Sequence, residues 1–344
     1  MPQQYDDRAI ARWLFVCALM IFAMVILGGV TRLTGSGLSM VKWHPIHGVV
    51  PPLSQQEWDE EFANYQQSPE FNKINSHMSV DDFKQIFYFE YAHRVLGRAI
   101  GVVFLLPFLY FYFRRKIRPG LTPKLIFMFF LGGLQGLLGW YMVKSGLVDN
   151  PHVSQYRLTA HLLAAILIYA FILWTAFRLM NPAERVARRD TAAGGFRRAA
   201  HYLLLLVLIT IISGGFVAGL KAGLIFNTFP KMGEFWIPPG MLSLSPAYLN
   251  FFENLPTVQF DHRVLALTTG TLLLIYWWKS RSAGFEPAIA RSFNWIAIMV
   301  VIQVTLGIST LLLHVPVAVA ASHQGGALLL FTAVLFNLHK LTRV

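Results

Sequence analysis

The chain has 344 residues, 55% of them hydrophobic and only 13% charged, and its mean hydropathy is positive. A water-soluble domain of this length carries about a quarter of its residues as charges, so composition excludes a soluble globular protein and leaves a polytopic membrane protein. The net charge of +12 does not point to nucleic acid, because the basic residues gather in a few connections, and the single Cys17 excludes an intramolecular disulfide or a cysteine-built zinc or iron–sulfur site.

Met1–Trp13 is short, polar and partly acidic, unlike a cleavable signal or an Arg-rich transit peptide. Eight apolar segments then reach the roughly 20 residues needed to cross a bilayer: 13–32, 87–113, 124–143, 156–180, 200–220, 258–279, 292–313 and 317–338. The connection 114–123 holds Arg114, Arg115, Lys116 and Arg118, and 181–199 holds Arg185, Arg188, Arg189, Arg197 and Arg198. With both termini on that side, 18 of the 29 Lys and Arg fall there and 12 of the 17 acids fall opposite. The positive-inside rule then predicts cytoplasmic termini, in a bacterial inner membrane. Trp13, Trp277 and Trp278 read as an interfacial belt at inner helix ends.

The long connections, 33–86 and 221–257, fall on the outer side. Trp43, Pro45, Pro51, Pro52 and Trp58 in the first, and Pro230, Trp236, Pro238 and Pro239 in the second, predict structured caps rather than linkers. The two connections also match each other. Gly37-Leu38 aligns with Gly223-Leu224, Pro45 with Pro230, His93 with His262, Gln135-x-x-Leu138-Gly139 with Gln303-x-x-Leu306-Gly307, and His161 with His323. Such an internal repeat predicts two like-oriented four-helix bundles, 1–199 and 200–344, related by a pseudo-twofold axis along the membrane normal. The expected fold is therefore an all-α polytopic membrane protein of eight transmembrane helices.

His93, His161, His262 and His323 each open an even-numbered span, which sets all four at one depth near the outer surface, two per bundle. Ionisable groups inside a membrane helix are expensive and usually functional, and two facing imidazoles suit a heme ligated on both sides. Small residues nearby (Gly97, Gly101, Ala164, Ala165, Gly325 and Gly326) fit a flat macrocycle, and Arg94, Arg98 and Arg263 match its propionates. A proton relay in a transporter is the competing reading. The remaining histidines (His44, His47, His77, His152, His201, His314 and His339) read as solvated or interfacial. Where the halves differ, Glu90 stands three residues before His93 and Gln259 stands three before His262, and Arg98 becomes Leu267. A carboxylate can move a proton and an amide cannot, so the first bundle is expected to do chemistry and the second to hold a resident cofactor.

Gly28-Gly29-Val30-Thr31-Arg32-Leu33-Thr34, Ser36-Gly37-Leu38-Ser39, Glu90-Tyr91-Ala92-His93-Arg94, Phe226-Asn227-Thr228-Phe229-Pro230 and His262-Arg263, with His161 and His323, carry a resemblance over nearly the whole chain. They resemble the heme A synthase family, in its proteobacterial and mitochondrial branch. That family's members oxidise a ring methyl of heme O to a formyl group for heme-copper oxidases. The resemblance implies Glu90 as catalytic acid, with His93 and His161, supported by Arg94 and Arg98, facing the substrate heme O. It implies His262 and His323, with Arg263, holding heme b. Some members carry an outer-loop cysteine pair, which this chain lacks. The expected partners are a heme O synthase, a ferredoxin-like electron donor, cytochrome oxidase assembly factors and the lipid bilayer, with homo-oligomerisation left open by the sequence. A diheme b-type electron-transfer cytochrome and a transporter of two parallel repeats are the readings from other classes.

Overall fold

A computed structural model describes residues 5–41, 50–144, 146, 151–180 and 191–342, with the backbone alone at 191 and 192. The expectations for Trp43, His44, Pro45 and His47, and for Arg185, Arg188 and Arg189, lie outside the described residues. Among these the fold is all-helical, with one isolated bridge between Met232 and Phe235. The α-helices are α1 (Asp7–Leu33), α2 (Gln55–Gln66), α3 (Val80–Phe113), α4 (Thr122–Lys144), α5 (Gln155–Met180), α6 (Thr191–Gly219), α7 (Asn250–Glu253), α8 (Leu255–Ser280), α9 (Pro287–Leu312) and α10 (Val317–Leu341).

Seven helices among the described residues are long and apolar enough to cross a membrane: α1, α3, α4, α5, α6, α9 and α10. The chain is thus a helical, multi-pass membrane protein. α8 has the length, at 26 residues. Gln259, Asp261, His262 and Arg263 in its first half and Thr268 and Thr269 in its middle dilute its hydropathy, so it is not among the seven. The second span read from hydropathy lies inside α3, whose helix starts earlier. The sequence reading begins the second span at 87, whereas the helix begins at Val80, where Ser79 and Asp82 form a reciprocal capping box. At 34 residues, α3 is about 51 Å long at 1.5 Å per residue, well beyond a bilayer core.

Two compact units divide the chain, one built on Val16–Ile168, the other on Asp6–Phe15 with Tyr169–Val344. In the first unit, the early turns of α3 join the connection before them. Met40, Trp58, Phe62, Tyr65, Phe83, Ile86 and Phe87 form one buried cluster. Tyr65 stacks on Phe83, and Trp58 meets Phe87 edge-on, each at 5.0 Å between centroids. α2 is started by Ser54 and Glu57 in a second capping box. The expectation of a structured cap holds for this connection.

In the second unit, α6, α8, α9 and α10 pack in a closed ring of four. Its interior carries a buried polar chain: the Tyr276 hydroxyl donates to Asn337 Oδ1 at 2.8 Å, and Asn337 Nδ2 donates to Ser292 Oγ at 2.8 Å. The 221–254 connection is held by amides rather than by an aromatic core. Asn250 bonds Leu244 through both its oxygen and its nitrogen, and Asn254 caps α8. Trp236 in this connection is exposed. Two readings are overturned here. His339 is not interfacial but 1% exposed, its ring set between Trp174 and Phe177, and Trp13 is likewise buried. Both follow apolar neighbours inward because their helices bury the faces that carry them.

Candidate functional site

His93 lies on α3, His161 on α5, His262 on α8 and His323 on α10. All four are half-buried. His93 and His161 stand within electrostatic range of each other in the first unit, as do His262 and His323 in the second. Each ring rests against a glycine of a neighbouring helix. A Cβ at Gly28 would meet the His93 ring at 3.2 Å, at Gly139 the His161 ring at 3.0 Å, at Gly214 the His262 ring at 3.1 Å, and at Gly307 the His323 ring at 2.8 Å. A side chain at Gly307 would force the His323 ring or its helix to shift, and at the other three places the ring would have to give by a few tenths of an ångström. Paired imidazoles are a donor set that a heme ligated on both sides requires. Among the described residues no group of three or more His, Cys, Asp or Glu could hold a bare metal ion.

The two units differ in how the rings are tied. His262 Nδ1 is 2.8 Å from Ser213 Oγ on α6. The Gln303 amide nitrogen donates to the His323 carbonyl at 3.0 Å and lies 3.1 Å from His323 Nδ1. In the first unit Gln135 makes the matching bond to the His161 carbonyl, at 2.9 Å, but His161 Nδ1 is buried without a partner. No hydrogen bond to the His93 ring occurs among the described residues.

Beside His93, Glu90 is 3% exposed. One of its oxygens pairs with the Arg94 guanidinium. The other accepts from Ser39 Oγ at 2.7 Å and from the Met40 backbone N–H at 2.8 Å. Arg94 also donates to the Met40 carbonyl at 2.9 Å. In the second unit Gln259 and Arg263 take the same positions about the aligned residue: both donate to the Phe226 carbonyl, at 3.0 and 2.8 Å, and Arg263 adds the Thr228 and Lys231 carbonyls. Residues three before and one after His93 and His262 therefore clamp the connection that precedes each helix onto it. Arg98 sits one turn beyond Arg94 on α3.

Sequence reasoning named the four histidines, the three arginines and Glu90. It missed the loop-clamping work of Arg94 and Arg263, and it missed Ser39, Ser213 and the four glycines. The glycines did leave a signal: Gly139 and Gly307 close the repeated Gln-x-x-Leu-Gly, and Gly28 opens the Gly-Gly-Val-Thr stretch. The Phe226–Pro230 motif is structural in large part, since Asn227 Nδ2 ties Gly223 to Leu311 at the end of α9 and Thr228 Oγ1 accepts from the Gly233 N–H.

Fold and site together define a helical membrane protein with two histidine pairs on glycine-backed seats and one buried carboxylate beside the first pair. Residues 11–335 match the COX15-CtaA family model, described as cytochrome oxidase assembly protein. The chain is 52% identical to the heme A synthase of Nitrosospira multiformis, over 100% of this chain and 98% of that protein. It is 47% identical to the heme A synthase of Nitrosomonas eutropha, over 98% and 95%. It is 45% identical to the heme A synthase COX15 of Homo sapiens, over 100% and 85%. The chain belongs to the COX15-CtaA family.

Proposed function

We propose that this chain is a heme A synthase, an oxidoreductase that converts a ring methyl of heme O to the formyl group of heme A. The observation that carries the reading is the difference between the units. A histidine pair with a buried carboxylate stands in one, and a histidine pair with an amide in the carboxylate's place stands in the other. The full-length likeness to named heme A synthases supports it.

The donor sets fit the groups concerned: two imidazoles per unit, each backed by a glycine whose Cβ would crowd the ring. His93 and His161 receive heme O as substrate, with Arg98 beside them on α3. His262 and His323 hold heme b, which supplies a one-electron couple when bound. Arg94 and Arg263 keep the outer connections closed over the histidines, and any contact they make to propionates would share guanidinium donors with those carbonyls. Two successive hydroxylations, each placing one atom of dioxygen on the methyl carbon while the other leaves as water with two electrons from the donor and two protons, take that carbon through a hydroxymethyl to a gem-diol, which loses water to give the aldehyde. Glu90 accepts or relays a proton during this oxidation, with the Ser39 hydroxyl hydrogen-bonded to its carboxylate. Gln259 has no equivalent capacity.

In the architecture we propose, α8 completes eight spans in two like-oriented bundles, 1–199 and 200–344, in a bacterial inner membrane with both termini cytoplasmic. Heme O arrives from a heme O synthase, electrons come from a ferredoxin-like donor, and heme A passes to cytochrome oxidase assembly factors. The test is heme extraction and mass identification from wild type and Glu90→Gln, each co-expressed with a heme O synthase. Heme b in both, with heme A in the wild type and heme O accumulating in the variant, is the expected result. Heme A in the variant at wild-type level would remove Glu90 from the chemistry, and heme b alone in the wild type would defeat the enzyme reading.

A further inference from the structure

We propose that Ser213 is the positioning residue that makes the His262–His323 site retentive, and that Leu27 at the matching place leaves the His93–His161 site free to exchange its heme. The inference rests on the assignment of resident heme to the second unit and substrate heme to the first. It adds a physical reason why one protein can keep one heme and release another of nearly the same shape.

The Ser213 hydroxyl donates to the Thr210 carbonyl at 2.7 Å. Its one hydrogen is thereby committed, so the oxygen must accept at His262, and Nδ1 must carry the ring proton. This acceptor on α6 selects the Nδ1–H tautomer. That leaves Nε2 as the nitrogen with a free electron pair, which is the form a metal ligand requires. A ligating histidine whose second nitrogen donates in this way is held in orientation and made a stronger base.

The first unit has the same seat without the tie. Gly28 backs His93 as Gly214 backs His262, and the residue before each glycine is Leu27 in one case and Ser213 in the other. A leucine offers no acceptor. The consequence is visible in the ring: His93 turns Nε2 and Cδ2 toward its glycine, whereas His262 turns Cε1 and Nδ1. A half-turn of the imidazole interconverts these presentations, and among the described residues no hydrogen bond selects between them at His93. His161 repeats the pattern, with its buried Nδ1 lacking a partner. A heme entering the first unit must itself order both rings, whereas in the second unit α6 has already ordered His262. The same ordering opposes release there and does not oppose it in the first unit.

The experiment uses full-length protein purified with its hemes, in wild type, Ser213→Ala, Ser213→Thr and Leu27→Ser forms. Heme is followed as it moves to excess apomyoglobin, heme b and heme O or A being distinguished by mass, and the midpoint potential of heme b is measured in parallel. Ser213→Ala should release heme b about tenfold faster, the scale expected when such a support is removed, and should raise its potential as the imidazole becomes a weaker donor. Ser213→Thr should restore both. Leu27→Ser should slow release of heme O or A and leave heme b unchanged. Wild-type rates and potential in Ser213→Ala, with heme b present, would overturn this inference alone. An absence of heme b from the wild type would instead overturn the site assignment on which it rests.

Discussion

Gly307→Ala tests the glycine seats at the place where the clash is largest. The new Cβ would lie 2.8 Å from His323 Cε1, whereas ordinary contact begins near 3.4 Å, so ring and helix must part by at least 0.6 Å. The ring cannot drift freely, since Gln303 on the same helix lies against its Nδ1 and bonds its backbone carbonyl. A working site tolerates about 0.5 Å of misplacement. We therefore expect heme b retention to fall by about tenfold or more, the scale seen when a ligating histidine loses its support. The substitution should also gain about 1 kcal/mol of helix propensity, so lost heme would not reflect a weakened helix. Gly136→Ala on α4 is the control, because nothing lies within 4 Å of its Cβ. The assay is heme b per protein after gel filtration, with the dithionite-reduced spectrum and a thermal melt. Equal heme content and spectra in the two variants would refute the reasoning. Gly28→Ala, at 3.2 Å, should give the mildest defect of the four seats.

Arg263→Lys keeps the charge but not the three-carbonyl fork, and should cost about 0.5–1.5 kcal/mol, since its bonds to Thr228 and Lys231 are exposed and the one to Phe226 is half-buried. Faster proteolysis of the 226–233 segment at unchanged helix content would report it, and wild-type cleavage rates would contradict it. Asn337→Ala breaks the Tyr276–Asn337–Ser292 chain in the second unit, and a fall in melting temperature of the size given by about 1–3 kcal/mol is expected; an unchanged melt would dismiss that chain as stabilising. The Glu57 carboxyl is held below the usual glutamate range by the Ser54 and Leu53 backbone N–H groups and by the Ser54 hydroxyl. A carboxyl lowered on folding stabilises above its unfolded pKa and loses that contribution as pH falls through the lowered value. Hydrogen exchange at the start of α2, corrected for intrinsic rates, should therefore quicken at acid pH in the wild type and show much less pH dependence in Glu57→Gln, which removes the titrating group.

Hydropathy made most of the helices legible, because crossing a bilayer depends on a sum over some twenty residues, and such sums survive local exceptions. The same averaging hid the two local features that depend on particular residues. The first seven residues of α3 carry Asp81, Asp82 and Lys84 and end any apolar window, yet Ser79-x-x-Asp82 starts a helix there regardless. The Asp261-His262-Arg263 run lowers the hydropathy of α8 although its helix is continuous. The histidines could be found because they recur at a nearly constant offset. Their seats could not, since which of 26 glycines backs a ring depends on how neighbouring helices are rotated. Nor could the main-chain carbonyls that Arg94 and Arg263 bond, which are placed only once the connection before each helix has folded.

The clamp common to both units sharpens the case for Glu90. At Phe226 the clamp is closed by a neutral amide and a guanidinium, both donating to one carbonyl. At Met40 the guanidinium again takes the carbonyl, and position 90 accepts from the backbone N–H and from Ser39. An amide oxygen at position 90 would accept those same two bonds, so holding the connection in place does not call for a charge. What a carboxylate adds is the ion pair with Arg94 and the capacity to take a proton. The ion pair brings a burial penalty of its own, which makes it a poor reason for the charge to be there. The proposed proton-handling role is therefore the one the packing leaves to be filled. Glu90→Gln separates the two: it should preserve the clamp, and with it protease resistance of the first outer connection, while heme O accumulates. Loss of that resistance in the variant would mean that the charge serves the fold after all.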